Sequence, residues 1–338
     1  MKRNSLFTKL FAMLLCVVMA VSCLSLSAFA ANDWEGDIDV VAPTGPEVDA
    51  NLTFVSFGLS FQEYIGINSL IYSSAAAGYD RVYVEAVQAT PDGNVTEILE
   101  GVLYYYDMFY VFDKQVLSWS MTEEVTLTLY AEKGDVLYKG ESRTGSVAQL
   151  ALAALPSYVS ANDTTSCRVL VDMLNYGAAV QNGFNYNTSN VPNAGEYATY
   201  GTSATPTIDA ENTVSGTGTV SSLGESLSMQ SKVEVQMMFN AAQAEGYDLR
   251  VTVDGETTVI DIMPLEGYEQ YYSVARIAFK ASNLRKVHTI AVYNSETNEV
   301  VSPIYSVSVE AYAEKALSQY EAVIIAMMKY GDSVAAIG

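Results

Sequence analysis

The aromatic-rich stretch GVLYYYDMFYVFDKQVLSW, residues 101–119, holds the side chains best suited to contacting a ligand. Tyrosine and tryptophan rings can stack on the apolar faces of sugars, and they are frequent hot-spot residues in protein interfaces. Tyr104, Tyr105 and Trp119 have no clear aromatic counterpart in the second of two internal repeats described below, so we predict them as binding residues. The alternative is that many of these rings belong to a sheet core, because aromatic residues favour strands.

Side chains for nucleophilic catalysis are scarce. The chain has one histidine, His288, and Ser-His-Asp or Cys-His catalysis would need its imidazole beside a nucleophile. We expect His288 to lie at the surface or at a sheet edge. Cys16 and Cys23 fall within the first 30 residues, and the helical pattern around Cys167 indicates a buried, structural thiol. Zinc sites need more His and Cys ligands than this, so we predict no catalytic residue, no metal site and no cofactor.

Carboxylates are abundant, with 39 Asp and Glu against 17 Lys and Arg and a net charge of −22. A pair of them could hydrolyse a glycosidic bond, so a carboxylate-based glycoside hydrolase is the less favoured, enzymatic interpretation. No EF-hand loop occurs, and calcium binding stays open. The negative charge repels phosphate backbones and anionic lipids, which predicts no nucleic-acid partner and no membrane association.

The first 30 residues have the pattern of a signal peptide. Basic residues within 2–9 precede an apolar run at 10–21, and Ala28-Phe29-Ala30 supplies the small residues of a cleavage site. The apolar run is too short for a transmembrane helix. We therefore expect cleavage after Ala30 and secretion, with lipid anchoring through a lipobox-like Cys23 as the alternative.

The chain contains an internal repeat. LSFQEYIGINSLIYSSAAAGYD at 59–80 pairs without a gap with LSMQSKVEVQMMFNAAQAEGYD at 227–248, and further matching blocks follow in the same order. The stretch between the repeats is rich in Asn, Thr, Ser, Gly and Pro, which is typical of a flexible linker. The predicted divisions are a signal peptide at 1–30, an acidic disordered segment at 31–49, repeat module 1 at 50–187, a linker at 188–212 and repeat module 2 at 213–338.

Each repeat begins with strands and ends with helices. Ile65, Ile67 and Ile71 alternate with polar or small residues, which indicates strands with one buried face. Ser146 and Ser308 each precede an Ala-rich segment and can cap a helix. We predict a mainly β fold with C-terminal helices: two tandem antiparallel β-sandwich modules, each followed by two packed α-helices.

A Tyr-Gly pair recurs on the last helix of each repeat. The helical face of repeat one, Val169, Met173, Tyr176, Gly177 and Val180, is matched in repeat two by Val323, Met327, Tyr330, Gly331 and Val334. A glycine inside a helix costs about 1 kcal/mol relative to alanine, so its repeated presence suggests that another backbone comes close. We therefore interpret the pair as a packing contact onto the sheet rather than as a site.

The stretch DMLNYGAAVQNGFNYNTSNVPN, residues 172–193, resembles a tail common in secreted and surface proteins of anaerobic Gram-positive bacteria. Those uncharacterised extracellular domains end in a Leu-Asn-Tyr-Gly-Ala-Ala-type helix, and the strand-hairpin-helix run before it is also similar. The resemblance covers most of repeat one and repeat two more weakly. It implies export and a tandem extracellular domain, and it assigns no substrate or functional residue.

Together these features predict a secreted or cell-surface, non-enzymatic binding protein built from a duplicated module. Its partner would be a glycan or an extracellular protein, since two copies of a weak site on one chain can increase avidity. A structural or spacer module without a ligand is the alternative. The ligand and the oligomeric state stay open at this point.

Overall fold

The structure, a computed structural model, describes residues 46–61, 64–229, 232–243 and 246–337. The predicted signal peptide, the Cys23 anchoring alternative and most of the acidic segment lie outside the described residues. Strands account for 40% and helices for 28%, so the protein is mainly β with antiparallel sheets, as predicted.

The strands of the first half form two sheets. These strands are β1 (Glu47–Val48), β2 (Ser56–Ser60), β3 (Gly66–Tyr72), β4 (Arg81–Thr90), β5 (Gly93–Glu100), β6 (Val102–Tyr104), β7 (Phe109–Gln115), β8 (Val125–Lys133) and β9 (Val136–Gly145). One sheet has the order β1-β9-β8-β4-β5 and the other has the order β2-β3-β7-β6. All these pairings are antiparallel except that of β1 with β9, which is parallel.

The second half repeats this topology. Its strands are β10 (Thr213–Ser215), β11 (Gly224–Met229), β12 (Val233–Asn240), β13 (Tyr247–Val253), β14 (Glu256–Asp261), β15 (Met263–Pro264), β16 (Tyr272–Phe279), β17 (His288–Asn294) and β18 (Ile304–Val307). The sheet orders are β10-β18-β17-β13-β14 and β11-β12-β16-β15. Each strand therefore occupies the position of the strand nine places earlier, as expected for a duplicated sequence.

Serine and aspartate side chains cap the main helices that follow the sheets. The helices are α1 (Ser73–Ala76), α2 (Val147–Ser160), α3 (Thr164–Gly183) and α4 (Val309–Ala335), and short 3-10 turns lie at Ser118–Ser120, Gly195–Tyr200, Ala241–Gln243 and Ala281–Asn283. The Ser146 hydroxyl accepts a hydrogen bond from the Gln149 backbone N–H at 3.1 Å, and the Gln149 side chain accepts one from the Ser146 N–H. The Ser308 hydroxyl accepts from the Ala311 N–H at 3.1 Å at the start of α4, without a reciprocal side-chain bond, so both predicted caps are confirmed.

In the second half two helical segments also follow the sheets, but they are directly joined. They meet within α4 at a kink at Tyr320, whose dihedral angles are non-helical. The capping serines Ser146 and Ser308 are 162 positions apart, whereas Tyr176 and Tyr330 are 154 apart, so the second half has eight fewer residues in this region. The connection that separates α2 from α3 in the first half, residues 161–163, accounts for only part of this difference, so the helical segments leading to Tyr330 are also shorter.

The chain forms two compact units that do not follow the repeat boundaries. The first comprises the described residues of Met1–Ser60, Gly66–Val116 and Ser120–Asn162, and the second those of Phe61–Ile65, Leu117–Trp119 and Asp163–Gly338. Helix α3 therefore belongs to the second unit although it ends the first repeat. The boundaries predicted above divide the sequence into its repeats. As domain boundaries they stay a prediction.

The segment predicted as a flexible linker, 188–212, is instead attached to the helices of the second unit. The Thr202 backbone N–H donates to Asp172 Oδ1 at 2.9 Å, and its hydroxyl donates to Asp172 Oδ2 at 2.6 Å. Farther along, Arg285 donates to the Thr207 carbonyl at 2.9 Å. Composition indicated a free linker, but these bonds hold two of its backbone groups, the Thr202 N–H and the Thr207 carbonyl, within the unit.

The two Tyr-Gly helices pack on each other. The rings of Tyr176 and Tyr330 stack with centroids 5.9 Å apart and planes 13° from parallel, and both are buried. A Cβ on Gly331 would lie 3.0 Å from the Ala281 carbonyl oxygen and 2.6 Å from Leu284 Cδ1. The packing interpretation is therefore confirmed for Gly331, but the partners are the other helix and the turn at Ala281–Asn283 rather than the sheet.

We predict that Gly331→Ala lowers the free energy of unfolding by about 1 kcal/mol. The gain in helix propensity, about 1 kcal/mol, is outweighed by overpacking against Ala281 and Leu284, which typically costs about 1–3 kcal/mol. Denaturant unfolding followed by circular dichroism measures the difference. Gly224→Ala is the matched control, because a Cβ there meets no atom within 4 Å. A stabilised Gly331→Ala protein would show that the turn at 281–283 can move away.

Candidate functional site

A row of exposed and half-buried aromatic side chains crosses the end of the sheet β2-β3-β7-β6. Tyr104 lies opposite Phe109 in the β6–β7 pair, and Phe109 lies opposite Tyr72 in the β7–β3 pair. Residues directly opposite each other in antiparallel strands point to the same face, so the three rings form one row across three strands. The Tyr72 and Phe109 rings stack with centroids 5.2 Å apart. Together with Tyr105 and Tyr106, this row is called the first aromatic tip below.

The first aromatic tip lies on the sheet face opposite that of the fully buried Ile71 and Phe112. Tyr72 and Tyr104 are exposed, and the Tyr106 side chain is the most exposed of the group at 89%. Large apolar side chains normally bury their rings, and a contiguous exposed group of them is typical of an interaction surface.

The turn that carries the tip is strained. Tyr105, Tyr106 and Asp107 have φ values of 50°, 55° and 59°, which is the left-handed region. Non-glycine residues pay about 1–2 kcal/mol each for this conformation. Hydrogen bonds hold the turn, because Met108 N–H donates to the Tyr105 carbonyl at 3.2 Å and Ser73 N–H donates to the Met108 carbonyl at 2.9 Å. Strained backbone of this kind is concentrated at functional sites.

The rings of the turn contact one another. The Tyr105 centroid lies 6.4 Å from that of Tyr104 and 5.2 Å from that of Tyr106, which it meets edge to face. Tyr106 is therefore supported from one side and open to solvent on the other. An aromatic surface with several ring faces can stack on a flat apolar ligand surface.

The structure brings two of the three predicted binding residues together. Tyr104 and Tyr105 are neighbours in the first aromatic tip. Trp119 belongs to the second unit, where it is half-buried in the turn at Ser118–Ser120 and its ring lies 6.3 Å from that of Tyr186. The tip residues that the sequence analysis did not select are Tyr72, Tyr106 and Phe109.

Tyr106 and Phe109 were passed over because they align with tyrosines of the second repeat, and Tyr72 because it lies outside the aromatic-rich stretch 101–119. The alignment was also one residue out of register. The sequence match of YDMFY with YEQYY aligns Phe109 with Tyr271. In the structure, Phe109 pairs with Tyr72, and the equivalent of Tyr72 in the second half, Asn240, pairs with Tyr272. Phe109 therefore corresponds to Tyr272. In a strand, a shift of one residue moves every side chain to the other face. Tyr72 would have been identified by pairing the C-terminal end of β3 with the aromatic residues at the start of β7.

His288 is buried, contrary to the surface or edge position predicted for it. Its side chain is 4% exposed, its Nδ1 lies 2.9 Å from the Lys286 carbonyl oxygen, and its ring meets that of Phe279 edge on. Burial lowers the pKa of His288; the hydrogen bond to Lys286 and the charge of Asp254 act in the opposite direction, and the Lys286 charge adds to the lowering. Its aromatic neighbour and backbone partner make it a core residue.

Cys167 is buried, as expected, and burial raises the pKa of its thiol. Among the residues that the structure describes, no group of three His, Cys, Asp or Glu side chains could hold a metal ion. Across the same residues, no helix combines the length and the apolar character needed to span a bilayer.

Comparison with known proteins finds no protein-family model that matches the chain and no curated protein that matches its sequence. A function for this chain is therefore inferred from the geometry of the first aromatic tip.

The buried histidine makes stability depend on pH. The pKa of His288 is lowered in the folded protein, so below its ordinary value of 6.5 the unfolded chain binds the proton more readily. The free energy of unfolding should be insensitive to His288 above pH 6.5 and should fall as the pH drops below it. We predict a shallower fall between pH 6.5 and 5 for His288→Gln, measured by denaturant unfolding at each pH. Equal slopes for the two proteins would contradict this.

Proposed function

We propose that this chain is a secreted, non-enzymatic binding protein built from a duplicated β-sandwich module, and that the first aromatic tip contacts a neutral glycan. The observation that carries the proposal is the row formed by exposed Tyr72 and Tyr104 with half-buried Phe109 between them, across three hydrogen-bonded strands. A surface supported by paired strands presents its rings in a defined arrangement before the ligand arrives, which reduces the entropy cost of binding.

The sandwich part of the proposal is supported by the way the chain joins the sheets. In the first half only Gly101 separates β5, at the edge of the five-stranded sheet, from β6, at the edge of the four-stranded sheet. In the second half only Ile262 separates β14 from β15. A chain that passes from one sheet edge to another within one residue brings the two sheets together at that edge, as in a β-sandwich.

The chemistry of the tip favours an uncharged, hydroxyl-rich ligand. Sugar rings have a C–H face that can stack on tyrosine or phenylalanine and a rim of hydroxyl groups that donate to oxygen acceptors such as the Asp107 carboxylate. Residues 101–113 contain no Lys or Arg, and the chain carries a net charge of −22. Phosphate-bearing or sulfated ligands would therefore be repelled rather than paired.

An extracellular protein is the second candidate, and one observation favours it. The exposed aliphatic side chains of Val102, Leu103 and Met108 flank the rings, and a mixture of Tyr, Met and aliphatic residues is common in protein interfaces. A spacer without a ligand would not require the strained turn at 105–107. Within 101–109 the tip has one carboxylate, Asp107, whereas glycoside hydrolysis requires a pair, so the proposal is non-enzymatic.

A binding assay on neutral polysaccharides tests the proposal. Residues 31–338 are applied to arrays of β-glucan, xylan, mannan and chitin fragments. We predict that Tyr104→Ala/Tyr106→Ala weakens binding by at least about tenfold, because exposed aromatic anchors typically contribute more than about 1 kcal/mol each. Tyr106→Phe should bind nearly as well, since the ring is kept.

Val95→Ala is the matched control, because Val95 is an exposed side chain on β5 outside the tip. Equal binding by the tip variant and the control would place the sugar contact elsewhere. The absence of any sugar binding by the folded, unaltered chain would remove the glycan proposal and favour the protein partner.

A further inference from the structure

We propose that the second unit has its own glycan-contacting surface, formed by Tyr268, Tyr271 and Tyr272 and called the second aromatic tip. The inference rests on the proposed function, because it assigns the same class of ligand to a second site. In sequence, these tyrosines align with aromatic residues of the first repeat, which favours a structural role. Their exposure and their place in the sheet point to a binding role instead.

The second tip lies at the topological position of the first. It connects β15 to β16, the strands that correspond to β6 and β7. The same backbone hydrogen bond closes both tips: Ala241 N–H donates to the Tyr271 carbonyl at 3.0 Å, as Ser73 N–H donates to the Met108 carbonyl at 2.9 Å. Tyr272 lies opposite Asn240, as Phe109 lies opposite Tyr72. Each unit therefore presents aromatic residues at the same end of the same sheet.

The tyrosines of the second tip are exposed. Tyr268 and Tyr271 are each 58% exposed, and Tyr272 is exposed beside Tyr271, with ring centroids 6.2 Å apart. Exposed rings contribute little to the core of the unit. The sheet in this half has its own buried side chains, such as Phe239 and Phe279 on β12 and β16. A purely structural role would not account for three solvent-exposed rings.

The loop of the second tip is fixed by its own hydrogen bonds. Leu265 N–H donates to the Tyr272 carbonyl, and the N–H groups of Tyr271 and Tyr272 donate to the Tyr268 carbonyl at 2.9 and 3.0 Å. The left-handed position is taken by Gly267, with φ 78°, so this loop avoids the strain of the first tip. The two loops differ in length and residues, yet each ends with exposed rings.

Polar groups beside the rings are acceptors and amides rather than cations. Glu269 Oε1 accepts a hydrogen bond from the Gly267 N–H at 2.8 Å, and hydrogen bonds from its own N–H and that of Gly267 lower the pKa of Glu269. The exposed side chain of Asn240 lies on β12, directly opposite Tyr272 on the neighbouring strand β16. Residues 256–275 contain no Lys or Arg. Rings with carboxylate and amide groups match the C–H faces and hydroxyl groups of a neutral sugar chain.

The number of sugar chains bound per protein tests the inference. Residues 31–338 are titrated by calorimetry with short neutral oligosaccharides that cover one tip each: cellohexaose, xylohexaose, mannohexaose and chitohexaose. For the hexasaccharide that binds, we expect about two molecules per chain. Tyr268→Ala/Tyr271→Ala should reduce this to about one, Tyr104→Ala/Tyr106→Ala should also leave about one, and the combined variant should bind none.

Controls separate loss of a site from loss of the fold. Val259→Ala replaces an exposed side chain on β14 outside the tip and should keep two sites. Tyr268→Phe/Tyr271→Phe should also keep two, because stacking needs the ring. Tyr268→Gln/Tyr271→Gln provides a second, polar variant if the alanine protein is poorly folded, and circular dichroism checks each variant. Binding should change little between 50 and 500 mM salt, because a neutral ligand has no charge to screen.

The possible failures are distinguishable. One molecule per unaltered chain, with no effect of Tyr268→Ala/Tyr271→Ala, would overturn the second site and leave the proposed function in place. No binding of any of the four hexasaccharides, together with no binding on the polysaccharide arrays, would overturn both.

Discussion

The packing of α3 against α4 is the interaction on which the second unit depends. These helices are the equivalent helices of the two repeats, and their central tyrosines, Tyr176 and Tyr330, stack on each other in the interior. Tyr330 also donates a hydrogen bond to the Phe61 carbonyl, and the Ser333 hydroxyl donates to the buried Asp172 carboxylate. Because Asp172 accepts from Thr202 as well, one carboxylate joins both helices to the connecting segment and is satisfied by three donors. The duplication thus provides two equivalent helices that pack on each other, and each repeat contributes one of them to the same unit.

Both aromatic tips follow from a shared property of the sheets. The four-stranded sheet of each half buries one row of side chains in the core, while the connection between its last two strands extends beyond that core. Side chains at this end are positioned by strand pairing without being buried by it, which combines rigidity with exposure. That combination suits recognition, because a preformed surface loses little conformational entropy on binding. The turn is built differently in the two tips. The first has a strained, left-handed run at residues 105–107, and the second has a glycine, Gly267, at its left-handed position.

The limits of the sequence predictions have physical causes. The caps at Ser146 and Ser308 and the burial of Cys167 were predictable because they depend on local spacing. The position of Trp119 was not, because the short turn that carries it joins a different unit from the strands beside it in the chain. His288 was expected at the surface or at a sheet edge, but it is buried. Its contacts with the Phe279 ring and the Lys286 carbonyl form only when β16 and β17 are in place. Tyr72 was missed because it lies about 30 residues before the aromatic-rich stretch, and only the pairing of β3 with β7 places it beside Phe109.

By itself the sequence determined the duplication, the strand and helix order, the mainly antiparallel β character and the residues that cap the helices, because these are set by local periodicity and by in-register repetition. It also indicated that the chemistry of the chain is aromatic and acidic rather than nucleophilic. Only the tertiary structure decided that α3 belongs with the second unit, that residues 188–212 are bound to its helices, and which rings share an exposed face. These outcomes depend on contacts between residues far apart in the chain, where burial and hydrogen bonding outweigh local preference.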